Sequence, residues 1–278
     1  MTRNMLIGYQ LYSARELAEA DLKGVLHHLA SMGYEGVEFA GFYGHSTQEI
    51  GELLEATGLS AFSSHVPLKA IQEDMTGVIQ FHKAIGCPFI AIPYLDEATR
   101  PGAPGFSSVL RLLYRFGYQC KENGIELLYH NHDFEFVEIS GQAGLDFLFD
   151  ALPENLLQTE LDTCWVKYSG IDPIAYLGKY AGRAPVLHLK DFVGQKTDQP
   201  PYGLLGLPPL KTAIDKPDGA IPFAYRPLGH GCQDVPALWK AAQDAGVMYV
   251  IVEQDNSPDG DPLGDAGKSM ETLRKMRG

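Results

Sequence analysis

The amino-acid sequence predicts an α/β fold: a (β/α)8 barrel in one domain spanning residues 1–278. Three observations carry this. Strand-like and helix-like segments alternate along the whole chain, eight of each, which suits a parallel sheet closed on itself. Several strand candidates are almost wholly apolar, as strands buried on both faces must be. Many helix candidates end in a glycine just before the next strand, at Gly33, Gly58, Gly86, Gly124 and Gly246, where a helix C-terminus favours a residue without a side chain.

The first strand is expected at Met5–Tyr12, followed by a helix over Ala20–Met32 with Leu22, Val25, Leu26 and Leu29 at helical spacing. Strand Gly36–Ala40 leads to helix Thr47–Thr57, strand Ser60–Val66 to helix Met75–Ile85, and strand Phe89–Tyr94 to helix Ser107–Asn123. Strand Ile125–His130 precedes helix Leu145–Leu152, and strand Leu157–Asp162 precedes helix Pro173–Tyr180. Strand Pro185–Lys190, helix Val235–Ala245, strand Met248–Gln254 and helix Asp265–Arg277 complete the series. A doubly wound open sheet is the runner-up, weakened because no Gly-x-Gly-x-x-Gly follows the first strand. Between Val193 and Asp234 the rhythm breaks into a Pro- and Gly-rich stretch. Long loops in compact domains tend to be functional, and one leaving the seventh strand is expected to lie over the C-terminal face, where barrel active sites sit.

Bulk properties narrow the function. A formal net charge of −13 repels phosphate backbones and argues against nucleic acid as the main partner, and against a nuclease built on the same barrel. Cys87, Cys120, Cys164 and Cys232 are far apart, with no Cys-x-x-Cys pair, so they read as reduced thiols rather than a zinc ribbon or redox motif. No run of ~18 apolar residues is present to span a membrane, and Met1-Thr2-Arg3-Asn4-Met5 enters a strand-like run without a leader-like stretch. The expected location is the cytoplasm.

Four segments carry the chemistry: Tyr129-His130-Asn131-His132, Glu160-Leu161-Asp162, Leu187-His188-Leu189-Lys190-Asp191 and Val250-Ile251-Val252-Glu253-Gln254. Each is an apolar strand-like run ending in a metal-binding residue type, and in a barrel these ends fall side by side on one rim. The mix of imidazole and carboxylate suits one divalent ion, with Mn²⁺ preferred and Mg²⁺, Co²⁺, Fe²⁺ or Zn²⁺ as alternatives. Lys190 lies two residues after His188, so period-two alternation sends it to the same face, where its charge suits neutralising an enolate or binding an anionic group. Other rim candidates are Gln10 on the first strand, Glu38 on the second and His65 on the third, with Tyr94 and Trp165 as aromatic candidates near the rim.

These segments, with Gly36-Val37-Glu38-Phe39 and the Gly229-x-Gly231 element, make the chain resemble the xylose isomerase-like barrels, the sugar phosphate isomerase/epimerase superfamily. The resemblance runs from Leu6 to about Arg277 and implies a Glu, Asp, His, Glu ligand set on strands five to eight. Asp162, His188 and Glu253 match three positions. At the fourth, His130 stands where the family commonly has Glu. Either His130 coordinates the ion or Glu135 in Asp133-Phe134-Glu135-Phe136 reaches back to do so; Glu135 is preferred, because it restores three carboxylates and frees a histidine. Arg226 resembles the family's substrate arginine, and His230 replaces a Glu often found between the two glycines.

The resemblance implies a small-molecule sugar or keto-sugar as substrate, with a homo-oligomer or a small accessory subunit as protein partner. The implied reaction is proton abstraction next to a carbonyl. Sugar isomerisation or epimerisation is the default outcome, and β-elimination, as in inosose dehydration or 3-oxo-glycoside cleavage, is the alternative. His130, His132, Glu253 and Lys190 are the expected catalytic groups, with Glu38, His65, Arg226 and Gln10 binding substrate. A neutral imidazole titrates near ~6.5 and serves as a base.

Overall fold

In a computed structural model describing residues 4–196 and 222–277, eight parallel strands form a closed barrel. They are Leu6–Gln10, Gly36–Phe39, Ser60–His65, Phe89–Ile92, Glu126–His130, Gln158–Asp162, Val186–Leu189 and Tyr249–Val252. The eighth strand pairs with the first, Leu6 opposite Tyr249, which closes the ring. All eight predicted strands occur, each shorter than its apolar run.

The surrounding helices are Arg15–Ser31, Thr47–Thr57, Leu68–Ala84, Phe106–Glu122, Gly144–Asp150, Thr163–Tyr168, Pro173–Lys179, Val235–Ala245 and Pro262–Arg277. The first and third begin well before their periodicity suggests, for one reason. Asp21 and Asp74 sit at non-helical φ inside the first and third helices, and each carboxylate accepts the backbone N–H three residues on, at Gly24 and Gly77. Each is therefore an N-cap joining a short leading turn to the main helix. The capped residue is glycine because the aspartate carboxylate occupies the space a Cβ would need. Thr163–Tyr168 was not foreseen. It starts directly at the sixth strand's end, where Asp162 caps it by accepting from the Cys164 and Trp165 N–H groups. None of the described helices is long and apolar enough to cross a membrane.

The barrel interior is layered. At the N-terminal end Phe62, Phe89, Ala91, Leu128, Val186 and Ile251 pack together. Gly8 and Gly36 leave room for Phe62, whose ring a Cβ at either would strike. This plug leaves polar chemistry to the opposite end. On the third strand the pairing shifts by one residue, Val37 facing Ala61 and Glu38 facing Ser63. Phe62 is the extra residue of a β-bulge, and the change of phase brings Ser63 and His65 inward beside Glu38.

The stretch expected as one irregular loop from Val193 to Asp234 begins and ends in order. Asp191–Val193 pairs antiparallel with Ala224–Arg226. Residues 197–221 lie outside the described residues, and so does the expectation that they cover the barrel mouth.

Candidate functional site

Alternation along the last four strands aims residues two apart into the barrel mouth: His130 and His132, Glu160 and Asp162, His188 and Lys190, Glu253 and Asp255. The first of each of the first three pairs lies deeper. Asp162 and His188 are register partners across the sixth and seventh strands, which sets their side chains next to each other.

Two groups of donors among the described residues are close enough to share an ion. In His130, Asp162, His188 and Glu253, one ligand atom from each lies within 4.8 Å of all the others, and all four residues are buried. The second group, His65, His130, Glu160 and His188, shares two members with the first. The first fits a divalent cation better. Asp162 Oδ1 is committed to its helix cap, while its buried Oδ2 faces His130 Nε2 at 3.7 Å and the Lys190 ammonium at 3.1 Å. Two imidazoles and two carboxylates are a donor set for Mn²⁺, Fe²⁺, Co²⁺ or Zn²⁺. Glu38 and Glu160 brace this set. His188 Nε2 lies 2.8 Å from Glu38 Oε1 and 3.4 Å from Glu160 Oε2, the kind of outer partnering that orients a ligating histidine. His65 Nε2 joins the same two carboxylates at 3.0 and 2.7 Å.

Lys190 is 1% exposed, and its ammonium lies 3.1 Å from Asp162 Oδ2, 2.8 Å from Glu253 Oε2 and 3.1 Å from Asp255 Oδ2. Burial alone would favour its neutral form, but the three carboxylates outweigh burial and hold the ammonium well above its ordinary pKa. Burial would likewise raise Glu253, yet Lys190 and His188 keep it ionised. Asp255 goes the other way: burial and the Glu253 charge push it up to about 7. His65, opposed by burial but paired with Glu38 and Glu160, is raised to about 10. His130 and His132 are pressed well below the usual imidazole range, first by burial and then by neighbouring cations, so both are neutral at pH 7.

Glu135 differs from expectation. It reaches back toward the strand but not to the donor group: Oε1 accepts from the Tyr129 hydroxyl at 2.7 Å and Oε2 from the His132 N–H at 2.8 Å. The short 3-10 turn Phe134–Phe136 fixes it there, and burial lifts its pKa to about 8. It shapes the backbone under His132, while His130 stands with Asp162, His188 and Glu253.

A cavity of about 670 Å³ opens over this cluster, lined at one end by His65, His130, His132, Lys190, Glu253 and Asp255, with Tyr94 beside them. Gln10, Glu38 and Arg226, expected at the substrate, do not line it. Gln10 and Glu38 are fully buried beneath, hydrogen-bonded to each other. Arg226 lies on the two-stranded ribbon and donates to the Tyr225 carbonyl. Trp165 is buried under His132, ring centroids 5.2 Å apart. Asp191 clamps the Gly229-x-Gly231 turn, its carboxylate accepting from the Gly229, Gly231 and Gln233 N–H groups, and His230 between the glycines is exposed. Sequence reasoning missed Glu160 and Asp255. The signal was present in each case: both lie two residues from an assigned ligand, the spacing that identified Lys190.

Comparison with known proteins agrees with this architecture. An inosose dehydratase of Clostridium perfringens is 24% identical over 254 residues, covering 84% of this chain and 82% of the relative. A sugar phosphate isomerase/epimerase from Parabacteroides distasonis superposes with a TM-score of 0.76 at 22% identity, covering 98% of each chain. The IolI protein, solved with a bound zinc atom, superposes with a TM-score of 0.69 at 14% identity, again covering 98% of each. The model of the xylose isomerase-like TIM barrel family matches residues 26–276, and the chain belongs to that family.

Proposed function

We propose that the protein is a divalent-metal-dependent lyase that removes a proton next to the carbonyl of a keto-sugar or keto-polyol and expels a β-oxygen substituent. The observation that carries this is the imidazole at the fifth strand's end. Epimerisation by two opposed glutamates needs a glutamate there, and His130 occupies the position while Glu135 is engaged elsewhere. This favours the alternative expectation, elimination, over isomerisation or epimerisation. The dehydratase name of the curated relative supports the same choice.

His130, Asp162, His188 and Glu253 would hold the ion, with Mn²⁺ preferred and Zn²⁺ next, given the zinc in IolI. When bound, it supplies electrostatic stabilisation for the charge that develops on the carbonyl oxygen. His132, neutral and cavity-lining, is the base that takes the C–H proton. The Lys190 ammonium faces the same cavity and stabilises negative charge on the substrate. Asp255 lines the cavity beside Lys190 and is the group placed to give the departing oxygen its proton as the C–O bond breaks and the C=C bond forms. Glu253 is assigned to the ion and is not free for this role.

The test is incubation of Mn²⁺-loaded protein with keto-inositols and 3-keto-hexoses in D₂O. Elimination is expected to release water or an alcohol and to form an unsaturated ketone absorbing in the near ultraviolet. Recovery of a deuterated epimer without loss of any substituent would instead assign the isomerase reaction.

A further inference from the structure

The cavity over the donor cluster has a second arm that the proposed chemistry does not use. It passes Phe42, after the second strand, and runs along the helix Leu68–Ala84. Its middle is apolar: Val78 and Phe81 line it, and Phe42 packs on Phe81 with ring centroids 4.2 Å apart. The polar side chains along the helix flank this middle, Glu73 and Asp74 on one side and His82 on the other, and no lysine or arginine lines this end of the cavity. All three offer acceptors. Asp74 is fixed by its role as a helix cap, Oδ1 accepting the Gly77 N–H at 2.8 Å, which leaves Oδ2 for a donor from outside. Glu73 is exposed, and its 3.8 Å approach to the exposed Lys69 is a surface pair of the kind that contributes little. His82 is 2% exposed. Its Nδ1 lies 2.7 Å from the Val78 carbonyl and so carries the proton, and burial keeps the ring neutral. Nε2 is then a lone-pair acceptor, and it has no hydrogen-bond partner.

We propose that this arm is a binding site for an aliphatic amine, with its ammonium at Glu73 and Asp74, its stem over Val78, Phe81 and Phe42, and a hydrogen-bond donor at its far end for His82 Nε2. The inference does not depend on the proposed reaction. Three arguments lead to it. The two carboxylates attract a cation and repel an anion. The apolar middle favours a hydrocarbon stem, since removing its surface from water is favourable in proportion to area. A buried acceptor left unmet costs free energy, which a ligand N–H or O–H reaching His82 recovers. The spacing sets the ligand's length. From Asp74 to His82 the helix rises ~12 Å at ~1.5 Å per residue, and with a hydrogen bond of ~2.8 Å at each end a stem of about six carbons spans it.

The test is calorimetric titration of the Mn²⁺-loaded protein at neutral pH with 6-amino-1-hexanol, hexylamine and 1-hexanol. The amino alcohol is expected to bind most tightly, hexylamine at least threefold more weakly, and 1-hexanol at least tenfold more weakly than the amino alcohol. Glu73→Gln combined with Asp74→Asn removes both charges while asparagine keeps the helix cap, and is expected to bring the amino alcohol within twofold of 1-hexanol. His82→Leu is expected to bring the amino alcohol within twofold of hexylamine and to leave hexylamine ahead of 1-hexanol. Thermal melting verifies that each variant is folded, and the wild-type comparison of amino alcohol with hexylamine judges the His82 end by itself. No measurable binding of the amino alcohol, equal binding of all three probes by the wild-type protein, or an ammonium preference that survives the folded double variant overturns the inference. An amino alcohol that binds no better than hexylamine, or whose advantage survives folded His82→Leu, overturns it as well.

Discussion

At the scale of single residues, the question is which fifth-strand side chain meets the ion. His130→Ala is expected to weaken Mn²⁺ or Zn²⁺ binding at least ~100-fold, beyond the 10–100-fold typical of losing an outer partner. Glu135→Gln is expected to leave affinity within a few-fold; isothermal titration checks both. Glu135 also makes a pH prediction. Burial raises its pKa from 4.5 to about 8, so the folded chain keeps a proton that the unfolded chain releases. Stability should therefore fall as pH rises from about 4.5 to about 8, by up to ~1.4 kcal/mol per unit from this group. Denaturant melts across that window should show a shallower fall for Glu135→Gln. The convergence of Asp162, His188 and Glu253 was legible in the sequence because each lies at the end of an apolar strand, which is a local signal. The choice between His130 and Glu135 was not legible, since it depends on where a 3-10 turn delivers a carboxylate. The burial of Gln10 and Glu38 was hidden for a similar reason: depth within a barrel depends on the stagger of neighbouring strands.

At the scale of elements, short-range chemistry sets the boundaries. Thr47–Thr57 and Val235–Ala245 match their expected spans because each carries a terminal signal in sequence. Ser46 and Glu49 form a capping box at the start of the former, and both helices end at a glycine in the left-handed region, Gly58 at φ 71° and Gly246 at φ 81°. The first and third helices were read as starting late because Asp21 and Asp74 are N-caps inside what continues as helix. Asp21→Ala is expected to cost about 1 kcal/mol of stability, measurable by urea denaturation, with no effect on metal binding because Asp21 lies far along the chain from every donor and on an outer helix. The bulge at Phe62 was invisible to strict alternation, yet it brings His65 in among Glu38 and Glu160.

At the scale of the whole molecule, the barrel concentrates charge where water is scarce. Lys190 is the cation set among Asp162, Glu253 and Asp255, and removing one partner of a buried charge network is costly, ~3–5 kcal/mol. Lys190→Met is expected to lower the melting temperature of the chelator-treated protein, and added Mn²⁺ should restore more stability to this variant than to the wild type by supplying positive charge to the same carboxylates. Eight strands, closure and the position of the site at one end followed from the alternating pattern, because a barrel is the compact way to bury eight short apolar strands. The central claim, one cation held jointly by four strand ends, is tested most directly by anomalous diffraction from crystals grown with Mn²⁺. The account predicts a single strong peak within coordinating distance of donor atoms of His130, Asp162, His188 and Glu253. A peak coordinated by Glu135 in place of His130, or no peak within reach of Asp162, His188 and Glu253, would contradict it.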